Sequence, residues 1–342
     1  MWKNLVIGSA CLFALFSCNN KLTFDELEFR TTQTLPATLI SESSPLLGYP
    51  YDMFVSDSDI YVLCLMNGKW IHSFDKNSGE ETGSFVNSGR GPGECVMCSR
   101  LYFNEDSKEL FIFDTVQEKL VIFSVQSKDI SYISEKSFSD IGDTVFYNAW
   151  PISSDSYLAN CQQGTIVEGL TRFQIYSNDG ILLQECNKIP DLKGDDIYTY
   201  TQSSFSMSPN RRHLVNVTLM GEILDIYEIV GNTMNKTVEK VFSMPNVRYN
   251  DGVVYETKNT RWGFPFVASD NDFIYASLTD DVDPNKYNKI AIFNWNGEGI
   301  VKIETDYNVL RLYPYRQNIY AIVADSLNQL YFAVFSSAIP NV

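Results

Sequence analysis

At 342 residues, with 44% hydrophobic and 14% aromatic side chains, the chain can build a large core, which excludes an intrinsically disordered protein. Its formal net charge of −16 opposes nucleic acid and other polyanionic partners, which are held by basic surfaces. No segment beyond the first 17 residues approaches the ~18 consecutive apolar residues of a membrane-spanning helix.

The N-terminus reads as a targeting segment. Lys3 gives it a basic start, an apolar run extends from Leu5 to Phe16, and the small Ser17 precedes Cys18. Removing residues 1–17 takes away one lysine and moves the charge from −16 to −17. Leu15-Phe16-Ser17-Cys18 resembles a bacterial lipobox. That resemblance implies a signal peptide over 1–17 and a lipidated Cys18 as the first mature residue. The protein is then expected in the cell envelope, lipid-anchored in the outer membrane and facing the periplasm or the surface. Several acyl chains on one cysteine anchor more firmly than one. Asn19-Asn20-Lys21 lacks the acidic residues of a surface-export signal, so lipidation does not by itself assign the side. Residues 18–33 are read as a tether.

From residue 34 onward one pattern repeats. An apolar run ending in Phe or Tyr recurs at Ile71–Asp75, Val121–Ser124, Gln174–Ser177, Asp225–Glu228 and Ala291–Asn294, with a looser copy at Tyr331–Phe335. Each follows a second apolar strand, centred on Tyr61, Leu110, Tyr157, Leu214, Ile274 and Ile319. The centres are 49, 47, 57, 60 and 45 residues apart. Strand-like units at that period, with no helical unit between them, predict an all-β fold: a six-bladed β-propeller over 34–342. Turn residues fall between the expected strands, as at Ser56-Asp57-Ser58-Asp59 and Asn296-Gly297. The sixth blade has only three apolar strands, near 309–313, 318–324 and 329–335, which leaves an open edge. A strand near Thr34–Ser41 is expected to complete it and close the ring.

Beyond Cys18, the mature chain keeps Cys64, Cys95, Cys98, Cys161 and Cys186, an odd number and so no complete disulfide framework. Cys95-Val-Met-Cys98 has neither a second such pair nor a nearby histidine to complete a zinc site. Asp281-Val-Asp283-Pro-Asn285 opens like a calcium loop but has Lys286 and Ile292 where that loop needs Gly and Glu. No metal or cofactor is therefore expected. The two histidines, His72 and His213, fall on separate blades and give a catalytic triad little to draw on.

In a propeller, the loops between blades and those joining second to third strands share one face, where ligand chemistry is expected. Ser88-Gly89-Arg90-Gly91-Pro92-Gly93-Glu94 falls there, between blades one and two. It lacks the Gly-Lys-Ser/Thr ending of a phosphate-binding loop and no helix follows. Two readings stay open: Arg90 is offered to an anionic group, or Arg90 and Glu94 tie a rigid turn together. Asp52, Arg100, Trp150, Arg261, Trp262, Arg311 and Tyr313 lie near the starts of innermost strands or on the loops feeding them. Arginine, aspartate and aromatic groups there suit a sugar or peptide ligand.

The GxGPGE loop, the lipobox and the six-fold repeat together resemble the TolB-like six-bladed propeller lipoproteins common in Bacteroidetes. Asp114-Thr115-Val116, Asp143-Thr144-Val145 and Asp325-Ser326-Leu327 also resemble the O-glycosylation sequon of such bacteria. The family motif specifies no function. The leading expectation is a non-catalytic, lipid-anchored binding or scaffold protein, whose partners are the membrane through Cys18 and a sugar, a peptide or an envelope protein. One alternative is a metal-assisted, lactonase-like hydrolase, which requires carboxylates and asparagines converging at the channel mouth. Another is a docking partner in an envelope complex.

Cys18→Ala should release the protein from membranes, because the lipid is the only membrane-binding feature in the sequence. Retention of the variant in the membrane fraction at high salt would show the lipobox reading to be wrong.

Overall fold

The computed structural model describes residues 24–45, 47–126, 129–141, 145–161, 171–188, 202–250 and 253–336. The targeting segment, Cys18, Asp143 and Thr144 lie outside the described residues.

Six antiparallel blades follow one another, each entered at its innermost strand. Blade one is β3 (Asp52–Val55), β4 (Asp59–Met66), β5 (Lys69–Asp75) and β6 (Glu81–Asn87). Blade two is β7 (Cys98–Asn104), β8 (Glu109–Asp114), β9 (Lys119–Gln126) and β10 (Asp129–Ser137). Blade three is β11 (Asn148–Pro151), β12 (Ser156–Asn160), β13 (Thr171–Ser177) and β14 (Leu182–Lys188). Blade four is β15 (Ser203–Met207), β16 (His213–Thr218), β17 (Glu222–Val230) and β18 (Thr233–Ser243). Blade five is β21 (Val267–Ser269), β22 (Phe273–Leu278), β23 (Lys289–Asn294) and β24 (Gly299–Glu304). Blade six contributes β25 (Asn308–Tyr315), β26 (Asn318–Ala324) and β27 (Leu330–Ser336). The sequence pattern did not show the small hairpin β19 (Arg248–Asn250) and β20 (Val253–Tyr255) between blades four and five.

The middle strands are buried on both faces, and their near-continuous apolar runs reflect that. The core is therefore a set of seams between neighbouring blades. Phe54, Tyr61 and Trp70 of blade one pack with Phe103, Leu110 and Val121 of blade two. Met53, Val62 and Phe74 of blade one pack with Tyr320, Ile322 and Phe332 of blade six, and that seam closes the ring.

Closure also has a backbone component. Strand β2 (Thr38–Leu39) pairs antiparallel with β27, Thr38 opposite Val334 and Leu39 opposite Ala333, so an N-terminal strand completes the last blade as expected. The tether reading of residues 18–33 is corrected for its last part. Strand β1 (Phe29–Thr34) pairs in parallel with β24 and makes blade five a five-stranded sheet. The physical reason is that β24 presents an outer edge of unpaired N–H and C=O groups. The Thr-rich FRTTQT run can cover that edge while most of its side chains stay in water. Just upstream, Asp25 receives the Val241 N–H at 3.0 Å and pairs with Lys240 at 2.9 Å on β18. The N-terminal segment thus straps the outer edges of blades four, five and six in succession. Leu27 and Phe29 pack on the seam of blades four and five, and Leu35, Ala37 and Leu39 on that of blades five and six.

Deleting residues 24–42 should lower the melting temperature by on the order of 10 °C in one cooperative transition, since the half-buried Leu27, Phe29, Leu35 and Leu39 each contribute a part of the roughly 1.5–3 kcal/mol of full burial. An unchanged melting temperature in scanning calorimetry would show that the strap is not part of the closed ring.

Candidate functional site

The starts of the innermost strands converge on one end of the ring axis, on the face that carries the inter-blade loops. There they enclose a cavity of about 770 Å³. Tyr49 and Tyr51 reach it ahead of β3, Ser99 and Arg100 from β7, and Asn148 from β11. Ser203, Ser204 and Phe205 come from β15, Phe266 from just before β21, and Leu310 and Arg311 from β25. Thr115 and Leu219 join from second-to-third-strand loops, and Thr279, Pro284 and Tyr287 from the long blade-five insertion. Among the described residues its charged lining groups are two arginines, and no Asp or Glu lines it.

The two guanidinium groups share one aromatic ring. Arg100 lies 4.6 Å and Arg311 5.0 Å from the Phe266 ring centre, a cation–π arrangement. Arg100 also donates to Ser204 Oγ and approaches Asp52 at 3.8 Å. Arg311 donates from Nε to the Tyr51 carbonyl and from Nη1 to the Leu310 carbonyl, both at 2.6 Å. Asp52 lies beneath them, accepting from the Met53 N–H at 2.9 Å and the Leu101 N–H at 3.1 Å, so it ties blade one to blade two. Burial pushes its carboxyl group up from the usual range, with Arg100 opposing the shift. Desolvation likewise pushes the Arg100 guanidinium down, and the neighbouring Arg311 charge adds to that. An arginine nonetheless stays charged at neutral pH.

The sequence-derived candidates separate into three groups. Arg100, Trp262 and Arg311 line the large cavity. Asp52, Trp150 and Tyr313 lie deeper, where with Arg100 they line a void of about 70 Å³ that narrows the channel. Trp150 packs edge-on against Phe205 at 4.6 Å there. Arg90, Glu94 and Arg261 line neither space. Arg261 is committed to Glu222 at 3.2 Å and Asp280 at 3.3 Å, fixing the blade-five insertion to blade four. Sequence reasoning missed Phe266, Ser204 and Asn148. Their common signal is position, since each lies at or next to the start of an innermost strand as Arg100 and Arg311 do.

The Gly-rich loop shares this face but lies over the outer strands of blade two. The Gly93 N–H reaches Glu135 on β10 at 3.3 Å, and Lys119 Nζ donates to the Gly91 carbonyl at 3.2 Å. Buried Asp114 supports its far end, accepting the Val96 N–H at 2.5 Å and the Gln117 N–H at 3.1 Å. The Glu94 carboxylate turns back to accept the Gly91 N–H at 2.9 Å. A Cβ on Gly89 would stand 2.1 Å from that carboxylate, so the glycine leaves room for it. The expected tie between Arg90 and Glu94 is therefore replaced by a tie from Glu94 to the loop backbone. Arg90 is exposed and has no hydrogen bond or ion pair among the described residues.

The cysteines stay single: Cys64, Cys95, Cys98, Cys161 and Cys186 are buried and free. Burial pushes the Cys161 and Cys186 thiols up to about 12, which makes them inert packing groups at neutral pH. Among the described residues no group of three or more His, Cys, Asp or Glu side chains could hold a metal. Asp281 is instead engaged by its own turn and by Lys286 at 3.2 Å.

Residues 28–312 match the TolB-like 6-blade propeller family. The chain belongs to that family. Among solved structures, a Bacteroides fragilis protein described as exported is similar with a TM-score of 0.55 and 11% identity, over 90% of this chain and 98% of that one. A DUF4221-family member from Bacteroides vulgatus is similar with a TM-score of 0.52 and 13% identity, over 88% of this chain and 96% of that one. Regucalcin from Agrobacterium tumefaciens, described as calcium-binding, is similar with a TM-score of 0.50 and 12% identity, over 91% of this chain and 98% of that one. At such identities the likeness is one of fold. No curated protein matches the chain.

Glu94→Ala should destabilise the protein by about 1.5–3 kcal/mol, the worth of a lost charge-assisted hydrogen bond to the loop. Gly89→Val should destabilise it too, and the double variant should fall short of the sum because both act on one contact. Arg90→Ala should leave the melting temperature unchanged. Destabilisation by Arg90→Ala equal to that of Glu94→Ala would contradict this account of the loop.

Proposed function

We propose that this TolB-like propeller is an exported, Cys18-lipidated binding protein of the bacterial cell envelope, and that its ligand site is the cavity at the channel mouth. One observation carries the reading: a cavity of about 770 Å³, within the size range of small-molecule sites, combines aromatic walls with two arginines and, among the described residues, no lining carboxylate. Aromatic faces supply stacking area, and the arginines with Asn148, Asn160 and Gln202 supply directional polar groups. The hydrolase alternative needs carboxylates converging with asparagines. Among the described residues the nearest carboxylate, Asp52, is enclosed below the cavity and engaged by two backbone N–H groups.

Gln202 is exposed at the rim of this cavity, so Gln202→Trp should narrow the mouth without disturbing the core. The Cys18→Ala protein should be heated with a panel of neutral sugars, sugar acids and dipeptides. At least one class should raise the melting temperature by a few degrees, and Gln202→Trp should abolish the rise. Equal stabilisation of both proteins would place the ligand elsewhere and overturn the reading.

A further inference from the structure

The polar groups left open in this cavity describe a ligand. Arg311 uses Nε and Nη1 on backbone carbonyls, and its Nη2 has no partner among the described residues. Arg100 and Arg311 crowd over the same ring, 4.6 and 5.0 Å from its centre. Against their two positive charges stands, among the described residues, one carboxylate, Asp52, 3.8 Å from Arg100. Two guanidinium groups with a single counter-charge among the described residues, the Arg100 side chain being largely buried, favour an additional anion. The chain as a whole carries −16, so this positive site is local and not a general property of the surface.

Gln202, exposed at the rim, brings an amide that can both donate to and accept from ring hydroxyls. Trp262, Tyr287 and Tyr49 offer flat apolar faces for a sugar ring. An anion bearing hydroxyl groups on such a ring meets the arginines, the amide and the aromatic walls together.

We infer that the cavity takes a sugar acid, its carboxylate held by Arg311 beside Arg100 and its hydroxyls met by the Gln202 amide at the rim. This assignment rests on the cavity being the ligand site, and it adds the chemical class.

Ligand-observed NMR on the Cys18→Ala protein can test it with three probes: glucuronate, glucose and benzoate. Glucuronate should bind at least tenfold more tightly than glucose or benzoate, and its affinity should fall as salt is raised. Arg311→Gln should weaken glucuronate at least tenfold, and Gln202→Leu should weaken glucuronate while leaving benzoate unchanged. The neutral and aromatic probes act on the unaltered cavity, so the test survives even if a variant fails to fold. Equal binding of glucose would overturn the anion assignment, and equal binding of benzoate would overturn the hydroxyl assignment. Absence of glucuronate binding would overturn the inference altogether. The Gln202→Trp comparison reads separately whether the cavity is a ligand site at all.

Discussion

Every blade of this protein is apolar on both faces, and that requirement governs the rest of the structure. A sheet of this kind is stable only when sandwiched between two others, so each blade needs two neighbours and the row must close on itself. Closure falls on the seam between blades one and six, where Met53, Val62 and Phe74 meet Ile322 and Phe332. The chain reinforces that last step from its N-terminal side. One segment passes along blade four through Asp25, adds β1 to blade five and supplies β2 to blade six. Residues far apart in sequence thereby become mechanically continuous.

The candidate site is a by-product of the same geometry. A closed ring brings the starts of six innermost strands to one axis, and there the side chains have fewer neighbours to pack against than in the seams. Arg100 and Arg311, 211 positions apart by their numbers, come to share the Phe266 ring. Asp52 balances part of their charge and at the same time ties blade one to blade two through the Leu101 N–H. Charge concentration in the channel mouth is thus built on residues that also hold blades together. Substitutions at Asp52 would disturb both, as would those at Arg311, which donates to the Tyr51 carbonyl across the closing seam.

The Gly-rich loop shows a different division of labour. Its glycines serve close approach: Gly89 makes room for the Glu94 carboxylate, and Gly93, at φ +70°, lies against the Tyr132 ring of β10. Val86, at the end of β6 where the loop begins, takes φ 61°, a conformation that costs a β-branched residue about 1–2 kcal/mol. The loop is a structural joint between blades one and two, with Arg90 projecting from it into solvent.

The sequence by itself determined the fold and most strand positions. Apolar runs buried on both faces and turns rich in Asn, Asp, Ser and Gly are local signals, and six copies at a near-constant spacing reinforce one another. The closing strand was legible because a three-stranded sixth blade leaves an edge that must be covered. The added strand β1 was not, because FRTTQT is mostly solvent-facing and carries no apolar alternation. The site was legible only as a set of types near strand starts. Which of them meet is decided by distances across the ring, which no local pattern encodes. Arg261 and Arg311 look alike in sequence, yet among the described residues the fold gives the first two carboxylates and the second an aromatic ring with one donor left open. Only the closed tertiary structure, by setting the partners that surround each charge, separates a structural ion pair from a candidate ligand contact.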